Sequence, residues 1–470
     1  MIYIDFSGNK KDQIQLTCDK IELDILRDDF SVANPAAASK RKFIAARLYA
    51  ITPTGKFDAG LTKNVLNVID LHGFSYEISE NVRNYLKIDN FSEKLDELGL
   101  PYRLYQSEAI QTAIEAGNGI VVVGTGGGKT LLAAGLIRNL RNFLGNSEAK
   151  VLITVPTLQL IEQTSQDFAE YGLTDISKWS GKNNLDKNAK IIVAGTQYLV
   201  GKNTDLSILD DIEIFIGDEC HIFTRGSEIN KIFKFLKTPY KFGMTGSLPD
   251  NKTNLWNVIG KIGSVIYEKR TDSLKQGDYV SDFQICILEM NHGRKTFGFT
   301  KDSPTSKYQN ELDYLMSNKN RNDTIAKLAL KMNRNSIIMV NQILHGDNLV
   351  KTFKELGKDV KFIRGSTPVE DRELIREAMD VQTDLIVVAM SRIFSTGINI
   401  PNLHSIIFAS AGKSKIRTIQ SIGRAIRKHP TKEKALIFDV SDNTFYSLKH
   451  KEDRKKLYKA ENYPFIEKFL

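Results

Sequence analysis

The chain has 470 residues, so at roughly 150 residues per domain about three domains are expected, each with its own core. Its 41% apolar and 26% charged residues, 11 prolines and lack of any low-complexity tract exclude a mostly disordered or collagen-like protein. Lys and Arg outnumber Asp and Glu by 65 to 56, and residues 411–470 hold 15 basic against 7 acidic side chains, so nearly all of the +9 excess lies in the last eighth of the chain and points to a phosphate-rich partner.

No window reaches about 18 consecutive apolar residues, so no membrane-spanning helix is expected. The opening MIYIDFSGNKKD carries its charges after its apolar residues, the reverse of a secretory signal. Cys18, Cys220 and Cys286 stand alone, without a CxxC or Cys/His spacing, which argues against a disulfide framework or zinc module and for a reducing, cytoplasmic setting.

Residues 1–92 read as a small α/β domain. Ile2, Ile4 and Phe6, then Ile14 and Leu16, alternate with polar residues and predict a hairpin across Gly8-Asn9. Ile21 to Phe30 keeps helical spacing, Phe43–Ile51 is strand-like, and Leu61 to Leu71 forms an amphipathic helix with Gly73 as its C′ residue. Lys40, Arg41, Lys42 and Arg47 could touch a nucleic-acid backbone or simply guard an exposed strand edge.

From residue 93 to 281 short β-branched runs alternate with helical stretches: Ile120–Val123, Val151–Val155, Ile191–Val193, Ile212–Ile216 and Phe242–Met244. The pattern restarts over 282–470 with Ile285–Leu288, Ile337–Val340, Val360–Ile363, Leu385–Val388, Ile406–Phe408 and Ala435–Phe438. Unalternated strands separated by helices predict two successive parallel sheets, each covered on both faces. The last helix is expected over Phe445–Tyr458, its Lys451–Lys459 face either solvated or lying along a duplex.

Val121-Val122-Val123-Gly124-Thr125-Gly126-Gly127-Gly128-Lys129-Thr130 passes from a buried strand into a helix. Four glycines within five positions let successive N–H groups turn inward around a phosphate, and the helix N-terminus adds partial positive charge. Lys129 can neutralise β- and γ-phosphate oxygens and the Thr130 hydroxyl can ligate Mg²⁺, although Val123 stands where GxxxxGK[ST] requires its first glycine. Ile216-Gly217-Asp218-Glu219-Cys220-His221 ends a second buried strand. Asp218 is placed to hold the metal and Glu219 to polarise the attacking water. Cys220 reads as a small buried residue, and His221 either relays the nucleotide state or is a satisfied polar group. Phe223 and Arg225 follow closely enough to approach nucleic acid, on position alone.

With these residues in view, the chain resembles a superfamily 2 helicase, with motifs in order over about 100–440. Arg103-Leu104-Tyr105-Gln106 is similar to the adenine-reading motif, Gly124–Thr130 to motif I, Asp218-Glu219-Cys220-His221 to motif II in its DECH form, and Thr245-Gly246-Ser247 to motif III. Ser395-Thr396-Gly397-Ile398-Asn399-Ile400 resembles motif V, and Gln420-Ser421-Ile422-Gly423-Arg424-Ala425-Ile426-Arg427 matches the QxxGRxxR of motif VI. The resemblance implies two RecA-like lobes that clamp ATP, with Gly397 and Asn399 near the nucleotide. Gln420 then lies near the nucleotide or its water, and Arg427 reaches the γ-phosphate as the finger, with Arg424 a candidate to share the role.

The resemblance also assigns strand contacts: Pro156, Thr157 and Gln159 of motif Ia, Thr196 and Gln197 of motif Ib, Arg364-Gly365 and Thr396 in the second lobe. His221, Thr245 and Ser247 become coupling residues. More narrowly, Lys413-Ser414-Lys415-Ile416 before Gln420 and Phe394-Ser395-Thr396-Gly397-Ile398 look similar to the UvsW-type phage helicases, which remodel branched DNA. This implies ATP-driven unwinding, junction branch migration and fork regression on DNA in a host cytoplasm, with residues 1–92 engaging the duplex or junction. An RNA helicase and an ATP-gated clamp that does not separate strands remain alternatives at this stage.

Overall fold

The computed structural model describes all residues except 9, 35–36, 38–44, 88–90, 92, 125, 181–184, 202–203, 278, 294–303, 394–399, 401, 411–417, 419–420, 424–428 and 431. Chain contacts divide it into two compact units, Met1–Val123 with Gly128–Lys269, and Gly124–Gly127 with Arg270–Leu470.

In the first unit, β1 (Ile2–Ser7) and β2 (Lys10–Thr17) form the expected hairpin, with Gly8 at φ 60° in its turn. Helix α1 (Lys20–Asp29) is capped by Asp19, whose carboxylate accepts from Glu22 N. A ribbon of β3 (Ser31–Ala33) and β4 (Arg47–Tyr49) follows, then β5 (Lys56–Asp58), α2 (Thr62–Leu71), β6 (Tyr76–Ile78) and α3 (Glu80–Leu86). Gly73 takes φ 68° after α2, and its N–H bonds Asp70 O, as a C′ residue does. The strands order as β5-β2-β1-β6.

A seven-stranded sheet of order β13-β7-β12-β11-β8-β10-β9 then forms. Its strands are β7 (Gly119–Val123), β8 (Val151–Val155), β9 (Ile176–Trp179), β10 (Ile191–Gly195), β11 (Ile214–Asp218), β12 (Tyr240–Thr245) and β13 (Val265–Lys269). Every pairing is parallel. The helices between are α4 (Leu104–Ala116), α5 (Lys129–Phe143), α6 (Leu158–Glu170), α7 (Thr196–Leu199) and α8 (Lys252–Ile262).

One apolar cluster runs from Ile2, Leu26 and Val65 of the N-terminal sheet and helices into Ile120, Phe215, Val258 and Ile262, so the two sheets share a core across α8. The join is backbone-tight: a Cβ on Gly60 would stand 2.1 Å from Ile259 O, and one on Gly260 would stand 2.7 Å from Asp58 Cβ. Asp58 also pairs with Lys261 at 2.8 Å.

In the second unit, α9 (Thr271–Gln276) leads into a sheet of order β16-β17-β15-β18-β19-β14-β20, again parallel throughout. It comprises β14 (Asp282–Met290), β15 (Ser336–Val340), β16 (Lys361–Ile363), β17 (Ile386–Met390), β18 (Ser405–Phe408), β19 (Lys434–Asp442) and β20 (Phe465–Phe469). Helices α10 (Pro304–Ser317), α11 (Lys319–Met332), α12 (Ile343–Glu355), α13 (Val369–Val381) and α14 (Phe445–Ala460) cover it. Sequence reading missed β9, β13 and β20, all edge strands of the two large sheets, and the short strands β3, β5 and β6; β20 is largely exposed, and the apolar run of β13 is only three residues, Val265-Ile266-Tyr267.

The basic face expected on α14 is only partly available. Lys451 is buried and pairs with Glu289 at 2.5 Å, Lys455 pairs with Glu467 at 2.7 Å, and Arg454 grips buried Asp439 through two 2.8 Å bonds. Tyr458 Oη donates to the same carboxylate at 2.8 Å. Lys449, Lys456 and Lys459 keep the exposed face, interleaved with Glu452 and Asp453. Among the described residues no helix is long and apolar enough to cross a membrane.

Two stability predictions follow from buried charge. Arg454→Ala leaves Asp439 buried without its cation and should cost about 3–5 kcal/mol, read from the urea midpoint. Lys241, buried in β12, is depressed to about 8 by desolvation, with Asp12 and Asp58 opposing the shift and Lys261 adding to it. Its folded value lies below that of the unfolded chain, so the stability cost is fully present below pH 8 and fades as pH rises toward about 10.4. Lys241→Met should therefore raise the melting temperature at pH 7, with an advantage that shrinks through pH 8–10; equal melting at pH 7 contradicts this account.

Candidate functional site

In a parallel sheet all strands end on one side, and the chemistry-bearing residues of the first unit lie at those carboxyl ends. The glycine loop leaves β7 and enters α5. Gly126 and Gly128 take φ 87° and 71°, a left-handed backbone that side chains resist, and Gly127 N–H bonds Gly124 O at 3.0 Å. A Cβ on Gly128 would also stand 2.7 Å from Gln106 Nε2. Buried Gln106 accepts from Arg103 N at 2.9 Å and donates to Gly128 O at 3.3 Å, so its amide bridges the start of α4 to the end of the loop. Arg103 Nη1 donates to Tyr105 Oη at 3.0 Å.

Beside β7 in the sheet runs β12, and beside β12 runs β11. Asp218 closes β11, and Glu219 follows with φ 50°, one of four non-glycine residues with positive φ among those described. That strained turn aims Glu219 at three partners: Lys129 Nζ at 3.8 Å from Oε1, His221 Nδ1 at 3.1 Å from Oε2, and Thr245 Oγ1 at 3.4 Å from Oε2. Thr245 Oγ1 also lies 3.0 Å from His221 Nδ1 and 2.8 Å from Ser247 O. His221, Thr245 and Ser247 thus form one hydrogen-bonded chain with Glu219.

Desolvation and the Glu219 charge push the Asp218 carboxyl up to about 7, against the pull of Lys129. Two adjacent carboxylates leave negative charge that one lysine does not balance, and Asp218 and Thr130 supply hard oxygen donors; this donor set fits Mg²⁺. Cys220 is fully buried against Gly243, where an added Cβ would meet its Sγ at 2.8 Å, and desolvation drives the thiol well above its usual range. Such a thiol is packing, as its sequence context implied.

Next to β11 lie β8 and β10. Pro156 follows β8, and Thr157 caps α6, its hydroxyl accepting from Leu160 N at 3.3 Å; Gln159 lies in the first turn. Thr196 and Gln197 open α7 directly after β10, Thr196 buried and Gln197 exposed. Helix-start amides and hydroxyls at these two neighbouring strand ends suit phosphate contacts that do not read bases.

The comparisons with known proteins agree with this arrangement. Residues 99–250 match the family described as Type III restriction enzyme, res subunit, and residues 310–429 match the Helicase conserved C-terminal domain. The ATP-dependent DNA helicase uvsW of Enterobacteria phage T4 is 28% identical over 97% of this chain and 97% of its own length. The DNA 3'-5' translocase XPB2 of Sulfurisphaera tokodaii is 25% identical, covering 78% of this chain and 87% of the relative. The solved structure of S. cerevisiae Dbp5 bound to RNA and ADP BeF3 aligns at TM-score 0.54 and 16% identity, over 78% of this chain and 89% of that one, a likeness of fold.

The chain belongs to superfamily 2 of the helicases.

In the second unit of this helicase, Arg364 and Gly365 follow β16 on the surface, with Arg364 Nη1 3.5 Å from Asp347 Oδ1. Arg47 in the N-terminal ribbon is exposed and donates to Ser31 Oγ at 2.9 Å. Thr125, Thr396, Gly397, Asn399, Gln420, Arg424, Arg427, Lys40, Arg41 and Lys42 lie outside the described residues. The described part of motif VI, Ser421 to Gly423, is buried.

A buried network with no sequence signal of its own sits just before residues 411–417. Arg321 Nε and Nη2 bond Asp442 at 2.8 and 3.1 Å, Arg321 Nη2 donates to Ala409 O at 2.7 Å, and His345 Nδ1 lies 2.6 Å from Ser410 Oγ. Burial alone raises the Asp442 carboxyl, but Arg321 and His292 hold it down at about 2. Its members are more than a hundred residues apart in places, so only packing brings them together. The expectation for Phe223 is corrected: it is fully buried, packed on Phe215 and Phe233, because the turn after Glu219 folds back under the sheet; Arg225 stays exposed.

Gly128→Ala should place a side chain in the left-handed region at about 1–2 kcal/mol and displace the Gln106 amide. A fall of about tenfold or more in affinity for a fluorescent ATP analogue, with the fold retained by circular dichroism, is the expected result.

Proposed function

We propose that this helicase couples ATP hydrolysis to movement along the nucleic-acid backbone and uses that movement to remodel branched DNA. The observation that carries the reading is the strand order itself: the glycine loop, Asp218-Glu219 and Thr245 end the adjacent strands β7, β11 and β12, and Thr157 and Thr196 begin helices at the next two strand ends, β8 and β10. A change at the phosphate site has one helix start to travel before it reaches the polynucleotide.

In this reading the glycine loop amides of Gly124 to Gly128 and Lys129 bind the phosphates, and Arg103 and Gln106 hold the base. Thr130 and Asp218 would hold Mg²⁺, which would supply positive charge against the phosphates. Glu219 orients the attacking water and accepts its proton, and Thr245 and His221 report the state of that carboxylate toward α8. Gln420, Arg424 and Arg427, with Gly397 and Asn399, approach the nucleotide when the two lobes close. Pro156, Thr157, Gln159, Thr196, Gln197, Arg364, Gly365 and Thr396 grip the backbone, which gives weak sequence preference and steep salt dependence. Residues 1–92, with Lys40, Arg41, Lys42 and Arg47, engage the duplex or junction. Branched DNA as the substrate is supported by likeness to the phage T4 DNA helicase over nearly the whole of both chains. The reading places the protein in the cytoplasm.

Glu219→Gln should keep nucleotide binding and lower stimulated turnover by about 10²–10⁴-fold. Arg427→Ala should likewise bind ATP and lose most turnover; near-normal stimulated ATPase in that variant overturns the finger assignment. The decisive assay offers single-stranded DNA, a synthetic four-way junction and RNA side by side. ATP-dependent conversion of the junction into two forks supports the motor. ATP-gated binding without conversion supports a clamp, and stimulation by RNA alone supports an RNA helicase.

A further inference from the structure

Between the N-terminal ribbon and α8 lies a cavity of about 180 Å³, lined by Tyr49, Asp58, Arg225, Thr253, Trp256 and Asn257 among others. It is smaller than the roughly 300–1,000 Å³ of pockets for drug-sized ligands, so it suits a single planar ring system. Both aromatic walls are braced from outside the cavity. The Arg27 guanidinium stands 4.5 Å from the Tyr49 ring centroid, and Phe30 stands 5.8 Å from the Trp256 ring. The carboxylate in the wall is already matched, Asp58 with Lys261 at 2.8 Å, and the Thr253 hydroxyl donates to Asn251 Oδ1 at 2.6 Å. Arg225 is exposed at the rim, and no ion pair engages its guanidinium among the described residues. Arg47 shares a face of β4 with Tyr49, two residues away. The cavity thus presents two rigid aromatic surfaces, a spent acid and a rim cation.

Its position ties it to the ATP site. Asn257 Nδ2 donates to Phe223 O at 2.7 Å, and Arg225 N donates to Asn254 Oδ1 at 3.2 Å. The segment held this way directly follows Glu219, Cys220 and His221, and α8 itself follows Thr245 and Ser247. The far ends of the two hydrogen-bonded partners of Glu219 therefore meet in the cavity wall.

We propose that this cavity is a nucleobase pocket: one unpaired base of the bound polynucleotide enters between Tyr49 and Trp256, with its adjoining phosphate on Arg225. Aromatic faces accept any base and a guanidinium accepts any phosphate, so the pocket senses unpairing rather than sequence. It gives the N-terminal domain a way to distinguish an opened strand from intact duplex and to report it along α8. The proposal rests on the reading of this chain as a nucleic-acid motor.

The test uses the full chain and a DNA fork carrying 5-iodo-deoxyuridine at single positions in its unpaired arm. After irradiation, cross-links should map to the peptides containing Tyr49 or Trp256. Tyr49→Ala and Arg225→Ala should each weaken fork binding by about 5- to 30-fold and leave affinity for blunt duplex nearly unchanged, and Tyr49→Phe should bind forks like the parent. Melting curves establish that each variant is folded, and Arg225, at an exposed rim, carries the test should Tyr49→Ala fail to fold. Parent-level fork binding by Tyr49→Ala and Arg225→Ala, with cross-links confined to α6 and α7, overturns the pocket and spares the motor reading. Failure of the parent chain to bind the fork at all overturns both.

Discussion

The Glu219 carboxylate receives three side chains from different parts of the chain: Lys129 from behind the glycine loop, His221 from its own turn, and Thr245 from the end of the next strand. The contact is possible because β7, β12 and β11 are neighbours and all end on the same side of the sheet. It also requires the left-handed backbone at Glu219, which non-glycine residues adopt only when their surroundings impose it. Burial of Phe223 beneath the sheet, packed on Phe215 and Phe233, supplies that constraint by pinning the chain just beyond the turn. The apolar core and the acidic site are thus parts of one mechanical arrangement.

The same helix that follows Thr245 carries the N-terminal sheet. With Gly60 against the Ile259 carbonyl, Gly260 against Asp58, and a common apolar cluster, the sheet is fastened to α8 by close backbone approach as well as by side chains. An interface that tight leaves no room for an added methyl group at Gly60 or Gly260. The proposed function would use a contiguous path inside the first unit: the Glu219 carboxylate, Thr245, α8 and the N-terminal sheet packed on it.

Local chemistry made much of this readable in advance. The glycine loop announced itself because four glycines between a buried β-branched strand and a helix have few other uses, and Asp218-Glu219 gained meaning from following it. Strands buried on both faces, such as Val151–Val155, carry a continuous apolar run and were located to the residue. Edge strands β13 and β20 escaped because each is partly exposed and its apolar run is short, Val265-Ile266-Tyr267 in β13 and Phe465-Ile466 in β20. The C-terminal lysines misled for the opposite reason: composition counts charges and cannot tell Lys451 and Lys455, which neutralise Glu289 and Glu467, from Lys449 and Lys456, which face water.

By itself the amino-acid order located the central parallel strands, the glycine loop and the acidic pair that follows it, and the superfamily to which they belong. These properties depend on near neighbours in the chain: periodicity, glycine freedom, and charge at strand ends. Only the tertiary structure decided that β12 separates β7 from β11, that Gln106 bridges to Gly128, that Arg321 meets Asp442, and that Tyr49 and Trp256 line one cavity. Those pairings join residues far apart in sequence, and they are chosen by hydrogen-bond ladders and core packing summed over the whole fold, which no local pattern encodes.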